Sequence, residues 1–144
     1  MTIAAILKHK GAHVVHVRPE DQVSDVVAVL SRQRIGATLV LDRAGSLQGI
    51  LSERDIMHGI AAHGAAALEM AAAQLMTRNI VTAHPGMRVQ EVMAIMTDGR
   101  FRHLPVVDKG VLVGIVSIGD VVKRLIEDQG QEVDSLKAYV AGAA

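Results

Sequence analysis

The chain contains itself twice. Shifted by 66 residues, Val15-His16-Val17-Arg18-Pro19 falls on Val81-Thr82-Ala83-His84-Pro85, Val23, Val26 and Ala28 fall on Val89, Val92 and Ala94, and Val40-Leu41-Asp42 falls on Val106-Val107-Asp108. One residue is then lost in a turn. At an offset of 65, Gly49-Ile50-Leu51-Ser52-Glu53-Arg54-Asp55 falls on Gly114-Ile115-Val116-Ser117-Ile118-Gly119-Asp120. Of 40 aligned pairs 12 are identical, against roughly 3 expected by chance. The duplication restricts the fold to two copies of one supersecondary unit, since a unit of about 45 residues cannot bury a three-stranded sheet alone.

Each copy reads the same way. A short apolar strand (Val14 to Val17; Ile80 to Ala83) ends at a proline, which cannot continue a sheet interior. Val23, Val26, Val27 and Leu30 then fall at i, i+3, i+4 and i+7, and Val89, Val92, Met93 and Met96 repeat that helical spacing. Two strands follow, joined through Asp42 to Ser46 in the first copy and Asp108-Lys109-Gly110 in the second, glycine-containing turns that signal hairpins. A second helix closes each copy, over Glu53 to His63 and Ile118 to Gln129. The fold class is mixed α/β: two β-α-β-β-α repeats packed with pseudo-twofold symmetry and flanked by N- and C-terminal helices. The expected boundaries are 6–64 for repeat 1, 65–75 for a helical connector, 76–130 for repeat 2 and 131–144 for a helical tail. Ala-rich composition makes the connector a helix, Thr2 caps a first helix through Leu7, and Val133, Leu136, Lys137 and Val140 give the tail an apolar face.

Composition narrows the functions. Half of the residues are hydrophobic and 21% charged, so the chain folds. The 15 basic and 15 acidic residues cancel, and one Phe, one Tyr and no Trp provide no base-stacking platform, so nucleic acid is not an expected partner. The absence of cysteine removes disulfides, thiol catalysis and thiolate metal sites. The uncharged run Gly110 to Gly119 is far short of the roughly 20 residues of a membrane helix. Met1 to Lys10 lacks a signal-peptide layout, and a cytoplasmic location is the default. His9, His13 and His16 sit at i, i+4 and i+7, but His16 falls in a strand, so no metal site is expected.

The repeated Gly-apolar-apolar-Ser-x-x-Asp is the segment with chemistry in it. It lies where a strand ends and a helix begins, where unpaired N–H groups and the positive dipole end suit a phosphate. A carboxylate at that turn accepts two hydrogen bonds from a vicinal diol, a serine supplies a short directional donor, and the preceding glycine permits close backbone approach. The same pattern is also a helix cap, with Ser52 and Ser117 at N-cap and Asp55 and Asp120 at the third helical position.

On these motifs the chain resembles a tandem pair of cystathionine β-synthase (CBS) domains, a Bateman module, from about Ile6 to Asp128. The run Met96 to Val107, which includes Gly99-Arg100-Phe101-Arg102-His103-Leu104-Pro105, is similar to stand-alone bacterial and plant organellar CBS-pair proteins, as is Gly114 to Val122. The resemblance implies a binding function without catalysis. Such modules hold AMP, ADP or ATP, sometimes NAD or S-adenosylmethionine, in clefts between paired units. The motif Asp meets the ribose hydroxyls and the motif Ser lies near ribose and phosphate. Carried onto this chain, the expected ligand residues are Ser117, Asp120, Arg102, His103, Ile80 and Thr82, with Ser52, Asp55, Arg54 and Ala37. Arg102 is the expected phosphate contact, because a guanidinium can fork two oxygens. Repeat 1 has Gly36-Ala37 where repeat 2 has Arg102-His103, which predicts unequal sites. An Arg at the position of Arg54 reaches a phosphate in the facing site in related proteins. The implied partners are an adenosyl nucleotide, a second copy of the chain and a separate regulated protein, with no membrane. Two other readings stand beside this one: an interaction scaffold with vestigial ligand sites, and a nucleotide-processing enzyme. No Gly-x-x-x-x-Gly-Lys loop or paired acid and base supports the latter.

Overall fold

The computed structural model describes the backbone of residues 1–11 and 14–143 and the side chains of 1–11 and 14–130. In chain order the elements are α1 (Ile3–Lys10), β1 (His16–Val17), α2 (Val23–Gln33), β2 (Ala37–Leu41), β3 (Leu47–Ser52), α3 (Glu53–His63), a 3-10 helix (Gly64–Glu69), α4 (Ala72–Leu75), α5 (Val89–Gly99), β4 (His103–Asp108), β5 (Val111–Ser117) and α6 (Ile118–Ala143). This is the mixed α/β class that the duplication predicts.

Two compact units form. The repeat-1 unit holds His13–Val81 and Lys109–Leu112; the repeat-2 unit holds Met1–Ala12, Thr82–Asp108 and Val113–Ala144. In the repeat-1 unit, β1 lies parallel to β2 and β2 antiparallel to β3. Its core is Val17, Val23, Val26, Leu30, Val40, Leu51 and Ile56, joined by Ala72 and Met76. In the repeat-2 unit, β4 pairs with β5, and Ala83, Val89, Val92, Met96, Val106, Val116 and Val121 are all in the core. Each of these seven is the repeat partner of one of the first seven in the other core, so the apolar pattern is a packing pattern. All five residues of β2 are buried, Thr38 among them, and its hydroxyl donates to the Val15 carbonyl at 3.1 Å. Both helices preceding a central strand end on a left-handed residue, Arg34 (φ 55°) and Arg100 (φ 57°). Ile35 and Phe101 then donate back to the Leu30 and Met96 carbonyls, six-residue closures of the Schellman type.

The segments that precede the repeats pack on the opposite repeat. Ile3 and Ile6 of α1, ahead of the first strand of repeat 1, lie in the repeat-2 core, while Ala72 and Met76, ahead of the first strand of repeat 2, lie in the repeat-1 core. The backbone bonds match: Ile3 and Ala4 donate to the Met87 and Pro85 carbonyls, and Ala72 and Ala73 donate to those of Asp21 and Pro19.

Several local expectations are corrected. The second repeat's first strand shrinks to one residue, Ala83, which bridges Val106 in parallel. Pro105 stands where β2 has Leu39 and has no N–H to donate, so the ladder cannot run back beyond Ala83. In the first repeat that strand covers His16–Val17 rather than Val14 to Val17. The connector is not one helix. A 3-10 turn and α4 are separated by extended backbone at Met70 and Ala71, where Val23 donates to the Met70 carbonyl and Ala71 bridges Gln22; tertiary pairing overrides alanine's helix propensity. Thr2 occupies the N-cap of α1 but its side chain makes no cap bond, since the Met87 and Pro85 carbonyls already satisfy the first N–H groups. The last helix does not stop near Gln129 but continues to Ala143. The side chains of the apolar face expected from Val133 to Val140 lie outside the described residues. No helix among the described residues is long and apolar enough to cross a membrane.

Candidate functional site

Both motifs build the same turn. In repeat 1 the Ser52 N–H donates to Asp55 Oδ2 at 2.9 Å and the Asp55 N–H donates to Ser52 Oγ at 3.2 Å. In repeat 2 the Ser117 N–H donates to Asp120 Oδ2 at 2.8 Å and the Asp120 N–H donates to Ser117 Oγ at 3.1 Å. These are reciprocal capping boxes that start α3 and α6. The first N–H of each helix is also met alike: Glu53 donates to the Gly36 carbonyl at 2.9 Å and Ile118 to the Arg102 carbonyl at 2.8 Å. Arg102 and Gly36 are thus structural partners, as the alignment implies. All four motif residues are half-buried.

The remaining expected residues surround these turns unequally. Arg102 is exposed, with its backbone against the first turn of α6, and His103 opens β4, half-buried. Thr82 is exposed beside the bridged Ala83 in the repeat-2 unit, and the half-buried Ile80 falls in the repeat-1 unit. Ala37 is buried at the start of β2, and Arg54 is exposed in the first turn of α3. Among the described residues no three His, Asp or Glu side chains converge to hold a metal ion; His13 lies outside them.

Two residues that the sequence did not single out meet the motif carboxylates. Thr77 Oγ1 donates to Asp55 Oδ1 at 3.0 Å. Lys10 Nζ donates to Asp120 Oδ2 at 2.7 Å and to the Ile115 carbonyl at 3.0 Å. Burial raises the Asp120 pKa, but the Lys10 bond and charge and the Ser117 bonds outweigh it and hold the carboxyl below its ordinary value. No local signal marks Lys10, which is 110 residues away from Asp120. The signal available for Thr77 was its place just ahead of the first strand of repeat 2, as Lys10 stands just ahead of the first strand of repeat 1. The motif glycines also serve these segments: a Cβ on Gly49 would lie 2.7 Å from Met76 Sδ and 2.8 Å from the Thr77 carbonyl oxygen, and one on Gly114 would lie 2.7 Å from Leu7 Cδ2.

Comparison with known proteins agrees with this construction. The family model of the CBS domain matches residues 8–62 and again 72–127. The chain is 33% identical to the mitochondrial CBS domain-containing protein CBSX3 of Arabidopsis thaliana, covering 98% of this chain and 72% of that protein. Among solved structures it is similar to the CBS-domain containing protein ATU1752 from Agrobacterium tumefaciens, with a TM-score of 0.83 and 41% identity over 85% of this chain and 91% of that one. It is also similar to the CBS domain pair of MJ0100, solved in complex with 5′-methylthioadenosine and S-adenosylmethionine, with a TM-score of 0.77 and 25% identity over 90% and 98% of the two chains. Two matched domains, two matching cores and two matching capped turns have one explanation: the chain belongs to the CBS-domain family and carries two CBS domains in tandem.

Proposed function

We propose that the chain is a non-catalytic regulatory module that binds an adenosyl ligand, AMP, ADP, ATP or NAD, and passes the signal to a separate protein. The observation that carries this reading is the paired, half-buried carboxylates Asp55 and Asp120, each beside a helix N-terminus. A carboxylate there accepts the ribose diol while the helix end favours phosphate. Ser117, Arg102, His103 and Thr82 serve the repeat-2 position; Ser52, Arg54, Ala37 and Ile80 serve the repeat-1 position. The complex of the similar MJ0100 domain pair with adenosyl compounds supports the ligand class.

The ligand acts through assembly. On the repeat-1 unit an apolar groove of about 620 Å³ runs between α2 and α3, with Val27, Met57 and Ile60 exposed along it and Arg34 and Glu53 at its edge. Those opposite charges make the face self-complementary about a twofold axis, so the occupant is a second copy of the chain. The repeat-2 unit exposes Val122, the repeat partner of Met57, and Ile126 on α6.

The capping boxes favour one competing reading, a scaffold with vestigial sites, because they satisfy Ser and Asp without any ligand. Calorimetric titration with AMP, ATP, NAD and UMP, with light scattering on the same samples, separates the two. The module reading expects a dimeric mass, adenine over uracil preference, and an AMP affinity at least roughly tenfold weaker in Asp120→Ala. A monomeric mass at micromolar concentration removes the dimer; equal binding of AMP and UMP, or an unaffected Asp120→Ala, removes the ligand role.

A further inference from the structure

Resting on the ligand reading above, the structure assigns Lys10 as the residue that restricts the repeat-2 position to adenosyl ligands carrying an anionic group. The two repeats meet the same need with different chemistry. In repeat 1, the Thr77 N–H donates to the Ile50 carbonyl at 2.8 Å and its hydroxyl donates to Asp55. In repeat 2, the single ammonium of Lys10 reaches both the Ile115 carbonyl and Asp120. Ile50 and Ile115 are repeat partners, so one cation replaces two neutral donors. The cause is where the preceding helix stops. Leu7 fills the space at Gly114 that Met76 fills at Gly49. Beyond that point α4 has ended and the chain is extended at Met76, whereas α1 continues through Lys10 and directs its side chain to the turn.

The consequence is a matter of charge. Asp120 Oδ2 already receives the Lys10 ammonium and the Ser117 N–H. Asp120 Oδ1, which neither of these bonds uses, can accept the ribose diol, and that brings the rest of the ligand beside the Lys10 ammonium. Lys10 stands in a pocket of about 320 Å³ whose wall also carries His9, Lys123 and Arg124. Of its acids, Glu127 lies 3.8 Å from Arg124 and so is already engaged. A phosphate on the ligand gains the attraction of the Lys10 ammonium. A neutral nucleoside gains no such attraction. Asp55, faced by the neutral Thr77 hydroxyl, imposes no such selection.

The test is calorimetric titration of the full chain with AMP and adenosine, in an Asp55→Ala background so that only the repeat-2 position is read. The Lys10-containing protein is expected to prefer AMP over adenosine by about tenfold or more, and Lys10→Met to lose about that factor from the ratio. Lys10→Arg, which keeps the charge, retains the preference. Lys10 is exposed enough, at 35%, for either change to leave the fold intact. A Lys10→Met protein with the parental AMP-to-adenosine ratio overturns the assignment and leaves the ligand reading standing. Failure of the Lys10-containing protein to bind either compound overturns both.

Discussion

Asp55 and Asp120 occupy the same place in two copies of one motif, and the copies share the reciprocal cap that the motif encodes. The serine, the reciprocal cap and the carbonyl that meets the first helical N–H are equivalent within a few tenths of an ångström. They differ in what arrives from elsewhere: a threonine hydroxyl on Asp55, a lysine ammonium on Asp120. A duplicated motif therefore preserves its local geometry, while its electrostatics belong to the segment packed over it. That segment precedes the opposite repeat, so the two sites can diverge in charge without any change to the motif.

The largest test of this comparison concerns the glycines. A methyl group on Gly49 meets the Thr77 backbone carbonyl, which is fixed by two bonds to Ile50, whereas one on Gly114 meets only the flexible end of Leu7. Gly49→Ala is expected to cost about 3 kcal/mol in chemical denaturation and Gly114→Ala about 1 kcal/mol. Equal losses would show that the two overlying segments are held alike.

The capping acids should lie between these values and close to one another. Asp55→Ala removes one side of a capping box and the bonds from the Thr77 and Ser52 hydroxyls, and Asp120→Ala one side of a capping box and the bond from Lys10, a loss of about 1–2 kcal/mol each without ligand. A difference of more than about 1 kcal/mol between them would mean that Thr77 and Lys10 contribute unequally to the fold as well as to the charge.

The smallest effect is one of acid sensitivity. Asp120 is held below its ordinary pKa by Lys10 and Ser117 against the opposing effect of burial. A lowered folded pKa contributes stability that is present above the unfolded value and lost as pH falls through the folded one. Lys10→Met removes part of that contribution. Its melting temperature should lie slightly below the parent's at pH 7, and the gap should close as the pH is lowered through the carboxylate range. A gap that persists unchanged into acid would assign the stabilisation to packing of the lysine stem instead.

Much of the molecule could be read from the residues. Identities at a constant offset defined two units, helical spacing at Val23, Val26 and Leu30 named core residues that are buried, and Gly-x-x-Ser-x-x-Asp located both helix starts. Those features are local: side-chain period, turn chemistry and capping act over a few residues, and the sequence displays them directly. Three things were decided only by tertiary structure. Pro105, harmless in its own strand, removed a donor that a neighbouring segment needed and reduced Ile80 to Ala83 to a single bridge. Alanine-rich residues after His63 gave up a continuous helix because Met70 and Ala71 were drawn into backbone pairing with the start of α2. Lys10 met Asp120 across 110 residues because α1 packs on the second repeat and runs far enough to reach its turn. Such contacts depend on where an element is carried by the rest of the chain, and the spacing of residues along one segment holds no record of that.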